Sequence, residues 1–165
     1  MMPRTPRHNR GMSFIFSLAY GLFGLFYLPV FLMKIRQEEN PRRLLRERLG
    51  FFSSGTTEKI SGKQTVWVHA VSVGEVMALR RFLKIFLERF PGLHVVLSTV
   101  TPTGQRIAKE LEGPRLSVVY FPFDFASACR RFFETIRPEC LLLAESEIWP
   151  NLLLEARRAV VRVGI

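Results

Sequence analysis

From Thr65 onward, short apolar runs alternate with helical patterns, and this alternation constrains the fold more than any other feature of the chain. Val66–Ala70, His94–Thr99, Leu116–Phe121, Cys140–Ala144 and Val160–Ile165 read as strands. Glu75–Arg89, Thr103–Leu111, Phe125–Thr135 and Asn151–Arg158 read as the helices between them. In the first helix Val76, Leu79, Leu83, Phe86 and Leu87 recur at the spacing of one buried stripe. Strict alternation predicts an α/β domain, a parallel sheet built with right-handed crossovers. The strand runs are apolar throughout, as expected of a sheet covered on both faces. The fold class is therefore a Rossmann-like parallel sheet with flanking helices. No helix follows the last run, which reads as a domain truncated at its carboxyl end.

The 165 residues suit one domain plus an appendage. The organisation expected is a basic tail over 1–11, a membrane anchor helix over 12–36, a basic juxtamembrane segment and loop over 37–64, and the Rossmann-like domain over 65–165. Met12 to Met33 holds no charged residue. As a helix this run would reach about 33 Å, close to the hydrocarbon thickness of a bilayer. Arg4, Arg7 and Arg10 precede it, and the larger cluster Lys34, Arg36, Arg42, Arg43, Arg46 and Arg48 follows. The positive-inside tendency then puts the folded domain in the cytoplasm. A helix lying in the interface plane is the alternative. Arg46 and Arg48 belong to a basic amphipathic stretch that either holds the domain against anionic headgroups and a phosphorylated lipid or is a solvated charged face. Ser53 to Gln64 is polar and without periodicity, and reads as a loop.

Lys+Arg is 24 against Asp+Glu 14, a net charge of +10. Such a balance favours phosphates, whether of nucleic acid, anionic lipid or a phosphorylated substrate. No groove-reading motif is present, so nucleic acid is not expected as a partner. Asp124 is the only aspartate, which excludes an Asp-x-Asp metal motif. Cys129, Cys140, His8, His69 and His94 fall at no metal-ligand spacing. Both cysteines read as apolar fillers, and His69 as a structural imidazole late in its strand.

Three strand ends are able to carry chemistry. Ser72-Val73-Gly74-Glu75 places a glycine and a carboxylate where strand gives way to helix, the usual ligand position in open α/β sheets. Glu75 suits a general base, while Ser72-x-x-Glu75 equally matches a helix capping box. Ser98 to Gly104 offers Thr101, Thr103 and Gly104 ahead of a helix, fit for anion binding by free N–H groups or for ordinary capping. It lacks the P-loop pattern. Ala144-Glu145-Ser146-Glu147-Ile148-Trp149-Pro150-Asn151 puts two carboxylates after a buried apolar run, which is costly unless they are paired or functional. If the strand persists to Glu147, Glu145 and Glu147 share a face.

The stretches WVHAVSVGE (67–75), LSTVTPTGQR (97–106), VVYFPFDFASACRRF (118–132) and AESEIWPNLL (144–153) together resemble the amino-terminal half of the bacterial 3-deoxy-D-manno-octulosonic acid (Kdo) transferases of lipid A assembly. Arg46-Glu47-Arg48-Leu49-Gly50 is also similar. The resemblance covers the chain after about residue 13. It implies the amino-terminal domain of an inverting GT-B glycosyltransferase on the cytoplasmic side of the bacterial inner membrane. By motif position Glu75 matches the proton acceptor and Glu145 the transition-state stabiliser. Ser72, Gly74, Thr101, Thr103, Gly104, Arg46 and Arg48 would meet the acceptor, a lipid A precursor, with membrane lipids close by. The family uses no metal or cofactor, and the donor substrate CMP-Kdo is bound mainly by a carboxyl-terminal domain absent here. The expectation is a fragment inactive alone. The competing expectation is a non-catalytic membrane-tethered α/β module binding anionic lipid or a partner protein.

Overall fold

The computed structural model describes residues 15–19, 21–22, 40–146 and 148–165. Most of the expected anchor over 12–36 therefore lies outside the described residues, although residues 15–19 and 21–22 are helical. Among the described residues no helix is long and apolar enough to cross a membrane.

Two short helices lead in, α1 (Pro41–Arg48) and α2 (Ser54–Ile60). Then follow β1 (Gln64–Ala70), α3 (Val73–Arg89), β2 (Leu93–Thr99), α4 (Pro102–Lys109), β3 (Leu116–Tyr120), α5 (Ala126–Ile136), β4 (Pro138–Leu143), α6 (Pro150–Arg158) and β5 (Arg162–Gly164). The five strands are parallel, in the order β3-β2-β1-β4-β5. The chain winds outward from β1 to β3, then crosses back to lay β4 on the other side of β1. The direction of winding reverses between β1 and β4, and Rossmann-like sheets open their ligand crevice at that switch, beyond the strand carboxyl ends.

Alternate residues of β1 feed the two covering layers. Val66, Val68 and Ala70 pack with Val76 and Leu83 of α3 and Ala108 of α4. On the other face Trp67 packs with Phe132, Phe133 and Ile136 of α5 and Leu152 and Ala156 of α6. Its indole stacks on Phe132 with centroids 5.3 Å apart, and its Nε1 donates to Ser98 Oγ at 2.8 Å. The indole is fully buried, so the hydroxyl relieves the cost of an unpaired N–H there.

Three expectations need correction. The stretch read as a loop over Ser53–Gln64 contains α2, with the Ser53 Oγ accepting from Thr56 N at 3.2 Å. Only Ile60 of that helix is fully buried, so its seven residues show no periodicity to find. α1 likewise belongs to the domain: Leu44 is buried, and buried Glu47 accepts from Tyr120 N at 2.9 Å and from Arg43 Nε at 2.7 Å. The last strand is shorter than Val160–Ile165, because Val160 takes a left-handed φ of 58° as the chain leaves α6. The third concerns β4, which ends at Leu143, so Glu145 is not held in a strand and the strand extension on which a face shared with Glu147 depended is not present at Glu145. Glu147 lies outside the described residues.

Candidate active site

β1 and β4 run side by side, with His69 level with Leu143. One further bond, Ala144 N to the His69 carbonyl at 2.9 Å, extends the pairing just past the ladder. Val71 and Glu145 therefore leave the sheet next to each other at its carboxyl edge. The two loops of greatest chemical interest open at the switch between β1 and β4.

At the end of β1 the capping box is complete. Ser72 Oγ accepts from Glu75 N at 3.4 Å. The Glu75 carboxylate accepts from Val71 N at 2.8 Å, Ser72 N at 3.1 Å and Ser72 Oγ at 2.8 Å. The capping reading of Ser72-x-x-Glu75 is thus realised, by a side chain that stands half-buried at the crevice. An ionised carboxylate has about four acceptor directions, so three donors fix its orientation and leave one open. Gly74 is exposed, and a Cβ there would meet only Ser72 Oγ, at 3.8 Å. The backbone does not require glycine at that position.

At the end of β2, Thr101 caps α4 by accepting from Gly104 N at 3.0 Å. Thr103 is exposed, its hydroxyl 3.5 Å from that of Thr101. Gly104 is buried against the first loop: a Cβ there would lie 2.8 Å from Thr101 Oγ1, 3.6 Å from Ser72 C and 3.7 Å from Val71 O. This contact brings Thr101 and Gly104 up to Ser72. Beneath them Thr99 Oγ1 donates to Gln105 Oε1 at 2.6 Å.

At the end of β4, Glu145 and Ser146 are exposed. Glu145 makes no hydrogen bond or ion pair among the described residues. The segment after it is anchored from a distance. Asp124, in the loop after β3, is 1% exposed and accepts from Asn151 N at 3.1 Å and Leu152 N at 2.8 Å. Asn151 Nδ2 returns a bond to the Asp124 carbonyl at 2.6 Å. Burial pushes the Asp124 carboxyl up and these N–H donors oppose it. Trp149 packs on Phe121 at 5.0 Å between centroids. Nothing local in the sequence marks Asp124 as the cap of α6, because the helix it caps starts 26 residues later at Pro150.

Below the crevice His69 is buried, its Nδ1 3.1 Å from the Ser98 carbonyl and 3.0 Å from Ser98 Oγ, its ring stacked on Phe121 at 3.8 Å. Burial lowers its pKa to about 3, so it is neutral. It is the structural imidazole expected from its strand position. The two arginines part company. Arg46 is exposed at the end of α1, whereas Arg48 is folded in, 8% exposed, donating to the Val100 carbonyl and lying 5.2 Å from the Phe123 ring centroid. Arg48 is thus not a headgroup-facing side chain. It buttresses the loops after β2 and β3.

A cavity of about 1030 Å³ runs along the groove between α5 and α6, walled by Phe125, Arg130, Phe133, Pro138, Glu155 and Val161 among others. None of the residues singled out at the strand ends lines it. Among the described residues no group of three or more His, Cys, Asp or Glu is placed to hold a metal ion.

Comparison with known proteins places the chain in a family. Residues 43–165 match the family model described as 3-deoxy-D-manno-octulosonic-acid transferase (kdotransferase). The 3-deoxy-D-manno-octulosonic acid transferase of Bordetella pertussis is 44% identical over 105 residues, 61% of this chain and 24% of that protein. That of Haemophilus influenzae is 32% identical over 112 residues, 68% of this chain and 26% of that protein. A probable mitochondrial 3-deoxy-D-manno-octulosonic acid transferase of Arabidopsis thaliana is 27% identical over 149 residues, 90% of this chain and 32% of that protein. The chain thus spans about a quarter to a third of the length of these curated relatives. The strand-end loops fall within the matched region, and by that match the chain belongs to the 3-deoxy-D-manno-octulosonic-acid transferase family.

Proposed function

We propose that this chain is the acceptor-side domain of an inverting GT-B glycosyltransferase that moves Kdo from CMP-Kdo to a lipid A precursor. The observation that carries the reading is the Glu75 carboxylate, held by Val71 and Ser72 at the sheet's switch point with one acceptor direction unfilled. In this reading that direction receives the attacking sugar hydroxyl, and Glu75 takes its proton as the oxygen bonds to the anomeric carbon of Kdo. CMP departs with the electrons of the broken bond. Glu145 sits one loop away, exposed and unpaired, as a fixed negative charge beside the cationic centre that develops at the anomeric carbon.

Thr101, Thr103 and Gly104 border the acceptor side of Glu75, and Ser72 and Gly74 shape its floor. Arg46 meets acceptor phosphate or lipid headgroup from α1. Arg48 acts only through the loops it supports. CMP-Kdo is the donor substrate and no cofactor takes part. The nucleotide is held by a second, carboxyl-terminal domain, so the 165 residues alone hold the base without a site for the leaving group. The uncharged run Met12 to Met33, with arginines after it, ties the domain to the cytoplasmic leaflet of the inner membrane, either crossing it or lying in its plane.

A second reading, a tethered module without catalysis, draws on the completed capping box, which already gives Ser72 and Glu75 a structural task. A transfer assay with CMP-Kdo and lipid A precursor separates the two. A version extended to the length of the relatives should transfer Kdo and the 165-residue chain should not. Equal absence of transfer from both favours the tethered module, and transfer by the short chain overturns the need for a second domain.

A further inference from the structure

α3 is apolar on both sides. Val76 and Leu83 are buried against the sheet, with Leu79, Phe86 and Leu87 packed beside them. Met77, Phe82 and Ile85 nevertheless stand 50%, 42% and 52% exposed. At about 100° per residue, Met77, Ala78, Arg81, Lys84, Ile85 and Glu88 fall on the face opposite the sheet-directed stripe. A surface helix usually reserves that face for polar side chains, and a helix apolar all round is covered on both sides. Among the described residues the main packing partners of α3 are β1, β2 and α4, on its inner side and flank.

Most of the cations on this face and its margins are also unspent. Arg80 is tied to Glu110 of α4 at 2.7 Å. Arg81, Lys84 and Arg89 make no ion pair or hydrogen bond from their side chains among the described residues. Beyond the cap at Glu75, Glu88 is the only acid of α3. Three free cations among three exposed apolar side chains match the composition of a helix seated at a bilayer interface. A second copy of this chain would fit poorly, since a two-fold contact sets the same cations against one another. We propose that the outer face of α3 is a membrane-contact surface: Met77 and Ile85, with Phe82 at the margin of the face, enter the headgroup–acyl boundary of an anionic bilayer, and Arg81 and Lys84, with Arg89 at the margin, engage its phosphates. This goes beyond the acceptor-domain reading and does not depend on the chemistry of Glu75. It lays α3 in the plane of the leaflet, with the crevice at one end of the helix.

The uncharged run over Met12 to Met33 would retain the chain on vesicles in any case, so the test reads the surroundings of α3 and not retention. An environment-sensitive fluorophore is placed in the full 165-residue chain at Met77→Cys, at Ile85→Cys, or at Ser61→Cys in the turn before β1 as a control. Each is made in a Cys140→Ser background, since Cys129 is buried. On phosphatidylglycerol vesicles the probes at 77 and 85 should shift to the blue and be quenched by spin-labelled lipid, and the probe at 61 should do neither. Phosphatidylcholine vesicles should give a much smaller shift. Removing the cations by Arg81→Gln, Lys84→Gln and Arg89→Gln should reduce the contacting fraction by about fivefold per charge when contact is not saturated. Far-UV circular dichroism checks each labelled chain, and Phe82→Cys replaces any position that disturbs the fold. Water-like emission at 77 and 85 on vesicles that hold the chain would overturn the proposal. So would a blue shift that grows with protein concentration in the absence of lipid, which marks a second copy as the cover.

Discussion

The two carboxylates at the switch point are held in opposite ways. Glu75 is half-buried and gripped by three donors from its own loop, so its position is set by the start of α3. Glu145 has no partner among the described residues and stands in solvent two residues beyond the end of β4. One side chain is built into the stability of the domain and the other is not. In the proposed transfer the base must meet a hydroxyl at hydrogen-bond distance, which a capping box can guarantee before substrate arrives. A charge facing a developing cation acts over a longer reach and needs only a loop of fixed course. Asp124 supplies that course by holding the first turn of α6.

This contrast is open to being broken at several points. In a version extended to the relatives' length, Glu145→Gln should lower kcat by roughly 10²–10³-fold. The same change in this chain should leave the urea midpoint where it is, within about 0.5 kcal/mol, as for other exposed sites. A large loss of stability would mean that Glu145 is structural after all.

Acid should act on the buried histidines before it acts on the loops. Burial holds His69 at about 3 and, with Lys63 and Lys59 nearby, His94 at about 4, against 6.5 in the unfolded chain. Between those limits the unfolded state binds protons that the folded state does not. Stability is therefore fully present above pH 6.5 and is lost as pH falls toward the folded values, by about 1.4 kcal/mol per pH unit for each histidine. Urea titrations from pH 7 to 4.5 measure the slope, and His69→Gln should remove one of its two increments. A flat profile would contradict the buried, neutral His69.

Asp124→Ala leaves the Asn151 and Leu152 N–H groups buried without their acceptor and should cost about 2–3 kcal/mol. In the extended version it should lower kcat as well, by letting the segment after Glu145 drift, while hydrogen exchange over 145–152 speeds up. Unchanged exchange there would separate Asp124 from the loop. The smallest effect is expected at Ser72→Ala, about 1 kcal/mol of stability through loss of the cap. If Ser72→Ala also lowers kcat, the capping box and the site act as one unit.

Much of this architecture was legible in the chain. From β1 onward the strands and helices fall within two residues of their sequence-based bounds, because apolar periodicity survives in a sheet buried on both faces. The capping box was legible because its two members are three residues apart. α2 was not, since only Ile60 of that helix enters the core. Arg48 looked like one more cation of a juxtamembrane cluster, and only the tertiary fold turns it inward against Val100 and Phe123. Asp124 was visible as the lone aspartate, but its partners lie on another helix, and no local pattern encodes a cap supplied from so far along the chain. The strand order was equally hidden. Crossover handedness follows from chain chirality, but the return of β4 to the side of β1 is decided by which faces bury best.

The most direct test of the central claim is the turnover of Glu75→Gln in the extended version, with CMP-Kdo and lipid A precursor. The amide keeps one oxygen for the two Ser72 donors, gives up the acceptor of Val71 N, and cannot take a proton. Transfer should fall by about 10²–10⁴-fold with the fold intact and the urea midpoint within about 1 kcal/mol of the parent. Parental turnover in that variant would contradict the account and leave Glu75 as the cap of α3 and nothing more.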